Sequence, residues 1–148
     1  MKNGKNIKIT LKSLSTPTGE APDVIELITE GTLRSVTDAE GRNGWEISYF
    51  DSEATGFKGS ETIVSCFGEE LASMIRKGST ESNLIIEKGR KHHCHYGTEY
   101  GSMMIGIYTH RIINRLSESG GELYFKYTID VNSVLISDNE VYMEIVLA

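Results

Sequence analysis

Cysteine and proline are both rare in this sequence, with two of each in 148 residues. Two cysteines, Cys66 and Cys94, are too few for a disulfide scaffold, so we expect reduced thiols and a cytoplasmic location. The beginning of the chain contains no apolar run long enough for a signal peptide or a membrane span. Basic residues are not in excess either, because 15 Lys and Arg stand against 21 Asp and Glu. This balance argues against nucleic acid as the main partner, and we expect no membrane contact.

Motifs that would carry catalysis are missing as well. The sequence contains no Gly-x-Ser-x-Gly, no Gly-x-Gly-x-x-Gly and no P-loop. Cys94 is flanked by histidines, but on a strand their side chains would point to the opposite face from its thiol. Asp51 and Glu53 could share a face as an acid/base pair, although acidic strand ends are common for solubility. Because no nucleophile with an adjacent base can be placed, we do not favour an enzymatic function.

Alternation of apolar and polar residues with a period of two is the dominant pattern. It predicts about ten short strands with one dry face and one wet face, separated by turns such as 40–44 and 119–121. The expected fold is therefore all-β, an antiparallel barrel or a sandwich, and the length suits a single domain over 1–148. The residues expected to point inwards are Ile9, Leu11, Leu27, Trp45, Ile47, Phe125, Tyr127 and Ile145.

Two segments carry helical signals instead. Residues 69–78 begin with acids, end with bases and a glycine, and place Leu71, Met74 and Ile75 at helical spacing. Taken alone, this pattern predicts a short helix. Residues 109–119 could likewise form one or two helical turns. Helices this short are marginal without packing, so the local signals leave strand and helix open.

Several short motifs follow one another in order along the chain: YFDSEATG at 49–56, RKG at 76–78, EKG at 87–89, YGTEYG at 96–101 and GG at 120–121. In their order and spacing they resemble the YwiB-like family of uncharacterised bacterial proteins. The resemblance implies a single antiparallel, calycin-like and lipocalin-like β-barrel of about eight to ten strands. It also implies that residues 69–78 form a strand, and we follow it there. Since the family is a domain of unknown function, it implies no activity and no cofactor.

In such a barrel Arg76 would enter a largely apolar interior, where its guanidinium requires an acceptor. One interpretation is structural: Arg76 pairs with Asp51 or Glu53 and closes one end of the barrel. The other is functional, because the bidentate guanidinium could hold the carboxylate or phosphate of a ligand. The candidate ligand-binding residues are Arg76, Tyr49, Tyr96, Tyr127 and Trp45.

Two functions fit these features. The first is a module that binds a small apolar, amphipathic or anionic molecule in the barrel or at its mouth. The second is a structural or protein-interaction barrel whose interior is filled by side chains and holds no ligand. Large inward residues such as Trp45, Phe125 and Met143 make the second function a close alternative.

His93 and His95 raise the question of a metal site, because residues two apart on a strand present both imidazoles on one face. Zinc requires three or four protein ligands, and outside this segment the sequence offers only His110 as a further histidine. We therefore predict that the pair holds no metal tightly. Elemental analysis of chelator-washed protein should find no stoichiometric zinc. About one equivalent of zinc that disappears in His93→Ala would contradict the prediction.

Overall fold

The computed structural model describes residues 4–52, 55, 58–98 and 101–148, and its strands form one closed antiparallel sheet. Each strand pairs with the next in the chain, and the last pairs with the first to close the barrel. The strands are β1 (Lys5–Pro17), β2 (Asp23–Thr37), β3 (Asn43–Phe50), β4 (Ser60–Phe67), β5 (Leu71–Gly78), β6 (Ser82–Glu87), β7 (Lys91–Thr98), β8 (Gly101–Asn114), β9 (Gly120–Val131) and β10 (Val134–Leu147). Among the described residues, no helix has the length and apolar character needed to cross a membrane.

The period-two alternation accounts for this architecture, and the predicted all-β barrel is confirmed. Ile9 lies beside Ile145 across the β1–β10 pairing that closes the sheet, and both side chains are buried. All eight residues predicted to face inwards belong to the core or pack against it, with Leu27 and Trp45 only partly buried. Closure pairs the last strand with the first and buries one face of the sheet, which is how a single sheet forms a core without helices.

Residues 71–78 form strand β5, as the family resemblance implied and against the local helical signals. The strand is paired on both sides, with β4 along its whole length and with β6 along most of it. These inter-strand hydrogen bonds and the burial of Ala72 outweigh the marginal stability of a short isolated helix. The helical turn considered for 109–119 is wrong, because β8 continues to Asn114 and the irregularity there is a shift in register between Thr109 and Arg111.

The interior is divided along the barrel axis into an apolar half and a mixed half. The apolar half is filled by buried side chains from β1 to β10, including Ile7, Ile9, Leu33, Ile47, Val64, Cys66, Ala72, Ile86, Leu123, Phe125, Met143 and Ile145. The antiparallel order brings the carboxyl ends of odd-numbered strands and the amino ends of even-numbered strands to the other end. Inward positions there carry polar residues, among them the buried Asp51, Ser60, Thr62, Ser82, Ser137 and Asn139. We call this second part the mixed half.

The ladder between β6 and β7 is incomplete. Backbone pairing is limited to two residue pairs, Ser82 with Tyr96 and Asn83 with His95. Both strands continue beyond these pairs, and residues 82–97 all lie in the described part of the chain. In the unpaired stretch, the backbone N–H of Ile85 donates to the Sγ atom of Cys94 at 3.4 Å. A buried thiol therefore takes the place of a carbonyl acceptor at this seam.

The packing of the apolar half leads to a prediction about stability. Phe125 is completely buried, so Phe125→Ala should lower the free energy of unfolding by about 3 to 5 kcal/mol. Leu27 is only partly buried, and Leu27→Ala should cost less, about 1 to 2 kcal/mol. Urea unfolding measures both. The matched control is the exposed neighbour Lys126, where Lys126→Ala should stay within about 0.5 kcal/mol. An unchanged urea midpoint for Phe125→Ala would mean that the inward face is assigned wrongly.

Candidate ligand-binding cavity

An open cavity of about 390 Å³ occupies the mixed half of the barrel. Its apolar lining residues are Leu11, Ile25, Met74, Leu84, Met103, Ile105, Ile129, Val131, Ile136 and Val141. Its polar lining residues are Ser13, Ser15, Tyr49, Thr55, Arg76, Tyr96, Tyr127, Ser137 and Asn139. Met103 and Ile136 are partly exposed, at 43% and 44%, so the apolar lining extends to solvent-accessible positions. Its volume falls within the range of roughly 300 to 1,000 Å³ that small-molecule pockets of other proteins have.

The register of three neighbouring strands places Arg76 in the cavity wall. Tyr49 of β3 is paired with Thr62 of β4, which is paired with Arg76 of β5, and all three point inwards. The Nε atom of Arg76 donates to the Thr62 hydroxyl at 3.2 Å and lies 3.5 Å from Oδ2 of Asp51. The Thr62 hydroxyl in turn donates to Oδ2 of Asp51 at 2.6 Å. Arg76 therefore shares its charge with a protein carboxylate at the edge of the cavity.

The Asp51 side chain is 0% exposed, against 13% for Arg76. Its second oxygen, Oδ1, accepts a hydrogen bond from the Thr55 hydroxyl at 3.1 Å. Pairing of Arg76 with Asp51 is what the structural interpretation of the sequence anticipated. Glu53, the other acceptor considered for Arg76, lies outside the described residues.

The three tyrosines predicted for the site, Tyr49, Tyr96 and Tyr127, all line the cavity. Burial raises the pKa of Tyr49 to about 12, and the nearby carboxylate of Asp51 contributes to the rise. Burial also raises the pKa of Tyr127 well above the usual range for a phenol. Near neutral pH these two phenols are therefore uncharged and can both donate and accept hydrogen bonds.

Polar residues of β1 and β10 form a second wall of the cavity, and none of them was predicted from the sequence as a site residue. It consists of Ser13, Ser15, Ser137 and Asn139. Ser15 is paired with Asn139 across the strands, and the Asn139 amide donates to the Ser137 hydroxyl at 3.0 Å. The sequence does contain a pattern that indicates this wall. The alternation that points Ile7, Ile9 and Leu11 inwards also places Ser13 and Ser15 on the inward face of β1. Polar residues in that phase indicate an interior that is not filled by apolar side chains.

Trp45 is not brought together with the other predicted site residues. It packs against the core, but it lines a separate, smaller pocket beside Leu33 and Arg34. Its strand neighbour across the β3–β4 pairing is Cys66, whose thiol is buried in the apolar half. The structure therefore groups four of the five predicted ligand-binding residues around one cavity and places the fifth elsewhere.

The histidine segment lies on β7 as predicted, with His93 and His95 exposed and Cys94 buried between them. The Nε2 atom of His92 lies 2.8 Å from Oε1 of Glu87. Burial raises the pKa of the Cys94 thiol, which makes it a poorer nucleophile near neutral pH. In the ranges that the structure describes, no three His, Cys, Asp or Glu side chains are grouped so that they could hold a metal ion.

The strand order and the closed sheet define an up-and-down antiparallel β-barrel, the architecture that lipocalins also have. The chain belongs to the family described as Domain of unknown function (DUF1934), whose model matches residues 9–143. In structure it is similar to the YwiB protein from Bacillus subtilis, with a TM-score of 0.75 and 22% identity over 97% of this chain and 94% of that one. The resemblance to the YwiB-like family is thereby confirmed, and at this identity the likeness concerns the fold alone. No curated protein matches.

The Arg76–Asp51 pair generates a prediction about stability. Arg76→Met should lower the free energy of unfolding by about 2 to 4 kcal/mol, because it leaves the buried carboxylate of Asp51 without its cation. Thermal or urea unfolding measures the loss. The control is the next residue, the exposed Lys77, where Lys77→Met should change stability by less than about 0.5 kcal/mol. Equal stability of Arg76→Met and the unmodified protein would show that Asp51 does not depend on this guanidinium.

Proposed function

We propose that this protein is a binding module that holds one small amphipathic molecule in the mixed half of its barrel. The observation that carries the proposal is the open cavity of about 390 Å³, which adjoins an apolar half made of buried side chains. A barrel whose interior served only as a core could be filled throughout, since buried voids cost stability. The ligand's apolar part would contact side chains such as Ile105 and Ile129, and its polar end would face Arg76 and the tyrosines.

The alternative is a structural or protein-interaction barrel without a ligand. Its premise, an interior filled by side chains, applies to one half of the barrel, where Phe125 and Met143 are completely buried. In the mixed half, the interior surface is instead open and lined by both apolar and polar groups. The ligand-binding function therefore accounts for more of the interior. The cytoplasmic location stays a prediction beside it.

The test uses Nile red, an uncharged apolar dye, as a fluorescent probe on delipidated protein. The unmodified protein should bind the dye with about one-to-one stoichiometry. Ser13→Phe places a phenyl ring in the cavity and should weaken binding at least about tenfold, because ring and dye compete for the same volume. Lys12→Phe is the matched control, since Lys12 is on the outer face of the same strand.

Native mass spectrometry of protein purified from its own host supplies an independent measurement. A stoichiometric small-molecule adduct that is absent from Ser13→Phe would support the proposal. Failure of the unmodified protein to bind Nile red, together with a clean mass of the bare chain, would favour the structural barrel.

A further inference from the structure

We propose that the cavity selects ligands whose polar end is uncharged, such as an alcohol or a primary amide, over carboxylates and phosphates. This inference rests on the proposed binding function and specifies its ligand class. It departs from the sequence-based expectation that Arg76 would hold an anion. The reason lies in what Arg76 already contacts.

The charge at the cavity wall is balanced within the protein. Arg76 is the one cationic side chain among the described residues that line the cavity, and its Nε atom lies 3.5 Å from Oδ2 of Asp51. An anionic ligand would add a second negative charge beside a carboxylate whose side chain is 0% exposed. Without a further cation, that charge would lose its hydration and gain little in return.

Asp51 is also held in place, so a ligand anion cannot readily replace it. Its two oxygens accept hydrogen bonds from the hydroxyls of Thr62 and Thr55, at 2.6 and 3.1 Å. Its backbone N–H donates to the carbonyl of Ser60 at 2.8 Å, which continues the β3–β4 pairing past the end of β3. The carboxylate is thus part of the strand connection and remains beside Arg76.

The other polar groups of the cavity suit a neutral ligand. Tyr49 and Tyr127 are uncharged phenols, and Ser13 and Ser15 add hydroxyls on the opposite wall. Hydroxyl groups both donate and accept, which matches an alcohol or amide that does the same. A carboxylate only accepts hydrogen bonds, so it would leave the acceptor oxygens of these hydroxyl groups without a donor.

The experiment compares two probes with the same apolar chain, decan-1-ol and decanoate, as competitors of bound Nile red near neutral pH. Decan-1-ol should displace the dye from the unmodified protein at a concentration at least about tenfold lower than decanoate does. Raising the salt concentration should leave the displacement by decan-1-ol unchanged, since no ionic contact is formed. Equal or tighter binding of decanoate, weakened by salt, would overturn the inference and leave the proposed function intact.

Asp51→Asn provides the reciprocal test. The substitution removes the negative charge that lies 3.5 Å from the Nε atom of Arg76, so the preference for decan-1-ol over decanoate should shrink at least about tenfold. Asp138→Asn is the matched control, because Asp138 is an exposed acid on β10 at the same end of the barrel. An unchanged preference in folded Asp51→Asn would overturn the role given to the pair. If that variant does not fold, the probe comparison and its salt dependence on the unmodified protein decide the question.

Failure of the two claims can be told apart. If the unmodified protein does not bind Nile red and shows a clean mass of the bare chain, the proposed function fails and the ligand class fails with it. If Nile red binds and decanoate is the better competitor, only the selection of uncharged ligands fails.

Discussion

The structure depends on one constraint: a single sheet with one apolar face must bury that face against itself. Closure through the β1–β10 pairing meets this constraint, because each of the ten strands then contributes buried apolar residues to one core. It also fixes what the interior can contain. Where the inward residues are large and apolar, as with Phe125 and Met143, the barrel is packed. Where the inward phase carries serine, asparagine or arginine, the same closure encloses polar groups that require partners.

The buried polar groups of the mixed half meet that requirement mainly by pairing with one another. Thr62 links the guanidinium of Arg76 to the carboxylate of Asp51, and Asn139 donates to Ser137 on the opposite wall. Internal pairing lowers the cost of keeping these groups out of bulk water. It also means that the cavity wall presents hydrogen-bonding groups with little net charge. The same contacts that stabilise this end of the barrel would therefore limit which ligand the proposed binding site recognises.

Most of the fold could be predicted from the sequence, because alternation with a period of two specifies which face of each strand is buried. The alternation alone could not assign residues 71–78 to a strand, because the spacing of Leu71, Met74 and Ile75 also fits a helix. Pairing with two neighbouring strands decided that competition, and long-range pairing is invisible to local patterns. The family resemblance supplied the missing information there.

The candidate site was predictable only in part, for a geometric reason. Alternation gives the face of a side chain but not its height along the barrel axis, which depends on how the strands are staggered. Trp45 and Tyr49 share an inward face of β3, yet only Tyr49 lines the cavity. Ser13 and Ser15 were missed because short polar residues near a strand end resemble the approach to a loop. The register of β1 against β10 places them inside.

The short ladder between β6 and β7 gives this closed sheet a preferred place to open. With two backbone pairs at that seam and at least six in each of the other ladders, local opening there would break the fewest inter-strand hydrogen bonds. An opened seam would turn the barrel into a curled sheet with two free edges, and free edges can pair with other chains. The outward side chains of β7 are Lys91, His93 and His95, all of them exposed. Polar and basic groups along that edge would disfavour its pairing with a second copy, which would limit aggregation when the β6–β7 seam opens.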